Sequence, residues 1–101
     1  MGITRQFANV NNQNQELGSI MMMTWFLYLV ECKDGSFYAG ITNRLPERIS
    51  AHNNGTGARY TRGRGPVKLL ASKEYIDRSN ASKAEALIKR LPRHKKLGFF
   101  A

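Results

Sequence analysis

Apolar residues crowd into a few short stretches of this chain. The densest is "TWFLYLVEC", residues 24–32, which is almost continuously apolar, aromatic and β-branched. It lacks the alternation of a half-solvated strand and predicts a strand covered on both faces. "KDG" at 33–35 is a hairpin turn signal, and "SFYAGIT" at 36–42 reads as the return strand. The period then changes from two to helical. Leu45, Arg48, Ile49 and His52 stand at i, i+3, i+4 and i+7, one face of a helix over 44–54. Asn43 is its expected N-cap, Pro46 fits the first turn, and Gly55 stops it. "GTGARYTRGRGP", 55–66, reads as a Gly- and Arg-rich loop holding one short helical turn. "VKLLASKEY", 67–75, is a third strand, and "DRSNASKAEALIKRL", 77–91, a helix that starts in capping residues. Pro92 kinks or restarts that helix before "RHKKLGFFA" closes the chain. The order β-β-α-β-α-α predicts an α+β fold, a small three-stranded antiparallel sheet with helices packed on it.

Hairpin parity decides whether Tyr28 and Tyr38 can share a site. A two-residue Asp34–Gly35 turn pairs Tyr28 with Ile41 and sends the two phenols to opposite faces. A three-residue Lys33–Gly35 loop, with Gly35 left-handed, pairs Tyr28 with Gly40. That register puts Tyr28, Val30, Tyr38 and Gly40 on one face, and it is the one expected. On the helix that follows, Leu45 and Ile49 should meet the sheet, which holds Arg48 and His52 at the edge of the core. Arg48 can also lay its stem on the core with its head in water, and His52 can be a hydrogen-bonded packing histidine. Glu85 falls in the apolar arc of Ala81, Ala84, Ile88 and Leu91, where a carboxylate is costly unless paired or bound to a cation. It fits a capping box with Ser82. It fits a metal ligand equally if Ser79 or Asn80 caps the helix.

Charge changes the picture from a fold to a partner. The 101 residues carry 16 Lys and Arg against 7 acids, a net charge of +9. Such an excess points to a polyanion, most often nucleic acid. In residues 1–20, Asn- and Gln-rich, Arg5 and Glu16 cancel, so the whole excess lies in residues 21–101. Residues 1–20 are expected to be a flexible tail and 21–101 one domain, with "MMM" at 21–23 a possible natural start of translation. The single Cys32 excludes an intrachain disulfide and a cysteine zinc cluster, which suits a reducing cytoplasm. The apolar run 20–30 is too short to span a bilayer.

"FLYLV", "FYAG", Arg48, His52 and Glu85, with "GARYTRGRGP" between them, resemble the GIY-YIG nuclease superfamily, in particular its small stand-alone bacterial members. The likeness covers residues 24–92. Tyr28 stands at the tyrosine of the first motif, with Phe26 and Leu27 in place of its Gly and Ile. Tyr38, Ala39 and Gly40 stand for the second motif. Arg48, His52 and Glu85 match the family's arginine, its histidine-or-tyrosine position and its metal-binding glutamate. The asparagine that often follows in the family has no counterpart we can place.

The resemblance implies a phosphodiester hydrolase dependent on Mg²⁺ or Mn²⁺. Glu85 would hold the ion with waters completing its shell. Tyr38 would act as general base toward the attacking water. A free phenol is only about 0.1% ionised at neutrality, so the ion and Arg48 would have to favour the phenolate. Tyr28 would orient the water, Arg48 would bridge phosphate oxygens, and His52 would join the cluster by hydrogen bonds. Ala39 and Gly40 are expected to leave room for a nucleic-acid backbone. Arg44, Arg59, Arg62, Arg64 and Lys68 are expected to grip phosphates and Tyr60 to stack on a base. A second basic run, Lys89, Arg90, Arg93, Lys95 and Lys96, reads as an exposed helix face. The expected partner is nucleic acid, DNA over RNA, in repair or processing, with contacts to phosphate and shape. A non-catalytic nucleic-acid-binding module of the same fold is the alternative. Such a module gives no reason to keep Glu85 on an apolar arc.

Overall fold

The structure is a computed structural model that describes residues 24–101. The tail expected at 1–20 and the methionines at 21–23 lie outside the described residues. Strands β1 (Trp25–Glu31) and β2 (Phe37–Thr42) form the hairpin. Helix α1 (Leu45–Asn53), a 3₁₀ turn (Arg59–Thr61) and strand β3 (Lys68–Tyr75) follow. Helices α2 (Arg78–Lys89) and α3 (Arg93–Lys96) and a last 3₁₀ turn (Leu97–Phe100) complete the chain. The sheet is antiparallel with the order β2-β1-β3. The predicted α+β architecture is thus present, with β1 at the centre as its unbroken apolar run requires.

Each face of β1 has its own core. Leu27 and Leu29 pack with Ala39 beneath Ala84 and Ile88 of α2, with Phe37, Ile41, Leu70, Leu91, Phe99 and Phe100 around them. Tyr28, Val30 and Cys32 pack on the other side with Val67, Tyr38, Leu45 and Ile49 of α1. Leu27, Tyr28, Leu29 and Val30 are all wholly buried. At about 25 cal/mol per Å² of apolar area removed from water, covering both faces of this strand contributes substantially to stability. Among the described residues, no helix is long and apolar enough to cross a membrane.

The turn takes the register that joins the tyrosines. Tyr28 pairs with Gly40 and Val30 with Tyr38, and Gly35 has φ +86°, a left-handed conformation that costs a side-chain-bearing residue about 1–2 kcal/mol. Asp34 accepts from the Ser36 amide at 3.0 Å and its hydroxyl at 2.6 Å, closing the loop.

Two helix starts differ from expectation. Asn43 does not cap α1: Arg44 is the N-cap, with no side-chain cap bond, and Thr42 Oγ1 takes the Arg44 amide at 3.0 Å. Asp77, earlier than the expected caps, caps α2 by accepting the Asn80 amide at 2.9 Å. Glu85 therefore lies well inside α2, and the capping box with Ser82 does not form. The basic C-terminal run is not simply an exposed helix face. Arg93 donates to Gly35 O at 3.2 and 2.8 Å and lies 4.0 Å over the Phe37 ring. Lys96 Nζ donates to Ile88 O at 2.8 Å, satisfying a carbonyl in the last turn of α2.

Candidate active site

The site grows from the β1–β2 register. Tyr28 and Tyr38 leave the same face of the sheet with ring centroids 6.4 Å apart. Between them stands Gly40, and its lack of a side chain is a packing requirement. A Cβ there would lie 2.5 Å from Tyr28 Oη and 3.1 Å from Tyr38 Cε2. The room expected for a nucleic-acid backbone is filled by the phenol of Tyr28. Ala39 leaves no such room either, because it is buried on the opposite face against Leu27 and Leu29.

Helix α1 covers this face with Leu45 and Ile49, as its periodicity predicts. Arg48 is half-buried. His52 goes further than the expected place at the edge: it is buried at 1% exposure. Its Nε2 lies 2.7 Å from Tyr28 Oη and its Nδ1 2.7 Å from Thr61 Oγ. The imidazole also meets Tyr38 edge-on, with centroids 5.5 Å apart. Burial pushes the Tyr28 phenol up to about 12; Arg48 pulls it down, while Tyr38 and Glu85 raise it further. Burial, and then the Arg48 charge, lower the His52 pKa and favour the neutral imidazole. Tyr28 and His52 therefore stand as a neutral pair at ordinary pH.

Glu85 reaches the same neighbourhood from α2. It is half-buried, and its Oε2 lies 3.1 Å from Lys89 Nζ, one helical turn on. That ammonium also sits 5.3 Å over the Tyr38 ring. The carboxylate pointing toward the core is thus paired, as its burial demands, and Lys89 links it to the tyrosines. Nothing in the basic run marked Lys89 for this except its i, i+4 spacing from Glu85. An i, i+4 pair on a helix contributes roughly 0.3–0.5 kcal/mol, which offers little resistance to a divalent cation at Glu85.

The donor set for a cation is sparse. Among the described residues, no group of three or more His, Cys, Asp or Glu converges. One carboxylate fits Mg²⁺ or Mn²⁺, of which Mg²⁺ in particular keeps several waters and shares substrate phosphates. It does not fit Zn²⁺, which asks for three or four protein ligands.

The loop residues divide. Arg44, Arg59, Arg62 and Lys68 are exposed, with Arg62 Nε 3.4 Å from Gly57 O. Tyr60 and Arg64 are already engaged. The Tyr60 ring stacks on Tyr38 with centroids 5.8 Å apart, and the Arg64 guanidinium lies 4.2 Å over the Tyr60 ring. Arg64 also pairs with Asp34 at 3.1 Å and donates to Tyr60 O at 2.8 Å. A base cannot stack on Tyr60 until this arrangement opens, and two of the three Arg64 guanidinium nitrogens are already committed.

Comparison with known proteins agrees with the geometry. The family described as the GIY-YIG catalytic domain matches residues 24–97. A UPF0213 protein of Xanthomonas axonopodis pv. citri is 59% identical over 75 residues, 74% of each chain. One from Clostridium perfringens is 51% identical over 72 residues, 71% of this chain and 77% of its own. A protein of E. faecalis, solved in solution by NMR, superposes with a TM-score of 0.54 at 41% identity, over 75% of this chain and 81% of that one. With two tyrosines on one sheet face, an arginine and a histidine on the helix above, and a glutamate on the later helix, this chain belongs to the GIY-YIG catalytic domain family, among its small bacterial UPF0213 proteins.

Proposed function

We propose that residues 21–101 act as one nuclease domain that hydrolyses phosphodiester bonds in nucleic acid, DNA in preference to RNA, in repair or processing. The observation that carries this reading is the linked set Tyr28, Tyr38, His52 and Glu85 with Lys89, joined by hydrogen bonds and ring contacts although α2 packs on the other face of the sheet. In this mechanism Tyr38, half-buried, takes the proton of the attacking water as its phenolate, the form that Arg48 and a bound cation would favour. Tyr28 keeps its own proton, because burial holds its phenol near pKa 12, and orients that water. Arg48 grips phosphate oxygens through its planar fork. Glu85 would hold Mg²⁺ or Mn²⁺, which supplies charge neutralisation at the phosphate and the leaving oxygen. Exposed Arg44, Arg59, Arg62 and Lys68 contribute phosphate contacts, and Arg64 joins them once released from Asp34.

The test is a cleavage assay on single-stranded, duplex and branched DNA and on RNA, with Mg²⁺ or Mn²⁺. Tyr38→Phe and Glu85→Gln are each expected to lower kcat at least 100-fold, the scale of lost acid–base catalysis. Full activity in both variants would refute the assignment. Salt-sensitive binding with no metal-dependent cutting by the wild type would identify a binding module instead.

A further inference from the structure

Thr61 is buried at 0% exposure in the loop after α1, yet the mechanism above gives its hydroxyl nothing to do. That hydroxyl lies 3.0 Å from Ala58 O, to which it donates, and 2.7 Å from His52 Nδ1. A hydroxyl has one proton. With that proton on Ala58 O, Thr61 Oγ can only accept, so the proton in the second contact must belong to Nδ1. The other end of the imidazole is compatible with the same arrangement. Tyr28 is wholly buried, and among the described residues its phenol oxygen has a single neutral hydrogen-bond partner, His52 Nε2 at 2.7 Å. Arg48 beside it can only donate. Donation of the phenol proton to Nε2 satisfies both groups.

We propose that Thr61 is a positioning residue that fixes His52 as its Nδ1–H tautomer, so that Nε2 takes the hydrogen bond from Tyr28. Tyr28 consequently turns only oxygen lone pairs toward the site and orients a water as an acceptor. Gly57 completes the device: a Cβ there would lie 2.5 Å from His52 Nδ1, so only glycine lets the loop close on the ring. The charged or titratable groups facing the imidazole are Arg48 from α1, Tyr28 from β1 and Tyr38 from β2. "GTGARYT" is thereby assigned to seating a histidine as well as to any contact with phosphate. The use made of the tautomer rests on the nuclease reading; the tautomer itself does not.

The experiment is long-range ¹H–¹⁵N correlation of the imidazoles in the full chain, carrying His94→Gln so that His52 gives the only histidine signal. A pyrrole-type Nδ1 and a pyridine-type Nε2 are expected. Thr61→Ser should keep this pattern and Thr61→Val should lose it, giving mixed tautomers. A pyrrole-type Nε2 in the parent, or an unchanged pattern in a folded Thr61→Val, would overturn the proposal. Should Thr61→Val not fold, the parent spectrum and Thr61→Ser decide. In cleavage, Thr61→Val should lower kcat about tenfold with KM little changed, and Thr61→Ser should restore it. A parent that cuts nothing ends the nuclease reading and leaves the tautomer to be decided by the spectrum.

Discussion

Gly40 and His52 do more to define the site than their size or number suggests. Adding one methyl group at Gly40 would place a carbon 2.5 Å from Tyr28 Oη and 2.8 Å from its Cζ. Tyr28 is buried between Tyr38 and His52, so its ring has little room to shift. Gly40→Ala is therefore expected to destabilise the fold by about 1–3 kcal/mol, the usual cost of overpacking, and to reduce cleavage; urea unfolding measures the first. His52 gives a prediction about pH. Its folded pKa lies below the ordinary value, so as pH falls the unfolded chain takes up the proton first. Its contribution to stability is complete above about pH 6.5 and shrinks as pH falls toward the folded value. The difference in Tm between wild type and His52→Gln should narrow on going from about pH 7 to about pH 5; parallel curves would contradict the buried neutral imidazole. Tyr28, Tyr38, Arg48, His52 and Glu85 were all nameable from sequence because their types and spacings carry a family pattern. Thr61 and Lys89 were not: only an i, i+4 spacing from Glu85 marked Lys89, and no local pattern links Thr61 to His52.

At the scale of elements, short polar contacts set the geometry that the apolar pattern leaves open. The Lys33–Gly35 loop decides the pairing of β1 with β2, and a shift of one residue would send Tyr28 and Tyr38 to opposite faces. Asp34 anchors that loop twice: the Ser36 hydroxyl and amide hold its carboxyl down to about 2, with Arg64 adding to them. Helix α2 depends similarly on Asp77. Removing the cap in Asp77→Ala should cost about 1 kcal/mol, measured by chemical unfolding, and should leave the metal-dependent kcat intact because Glu85 lies farther along the helix. Strand identities and the face of α1 followed from periodicity. Helix starts did not, because Asn43, Asp77, Ser79, Asn80 and Ser82 are all chemically competent caps. Which one serves depends on where the preceding strand delivers the chain.

For the molecule as a whole, the charge of +9 matters through its field. Nucleic-acid affinity is expected to fall linearly with the logarithm of salt concentration, as counterions are released from neutralised phosphates. Replacing Arg44, Arg59 and Lys68 together with Ala should flatten that slope by about three, one for each lost phosphate contact. Fluorescence anisotropy across a salt series measures it, and an unchanged slope would place the footprint elsewhere. Arg93 and Lys96 are expected to contribute less, since their charged heads are spent on Gly35 O and Ile88 O.

The sequence alone determined the strands, the amphipathic face of α1, the element order and the family, because each is written in local periodicity or motif spacing. The tertiary structure decided what fills the space between those elements. Gly40 makes room for Tyr28 and not for a ligand, Tyr60 lies between Tyr38 and Arg64, Lys89 neutralises Glu85, and Thr61 closes over His52. Each of these is a contact between residues brought together by the fold. Side-chain volume and hydrogen-bond direction settle such contacts only once the two sheet faces and the loop after α1 are in place.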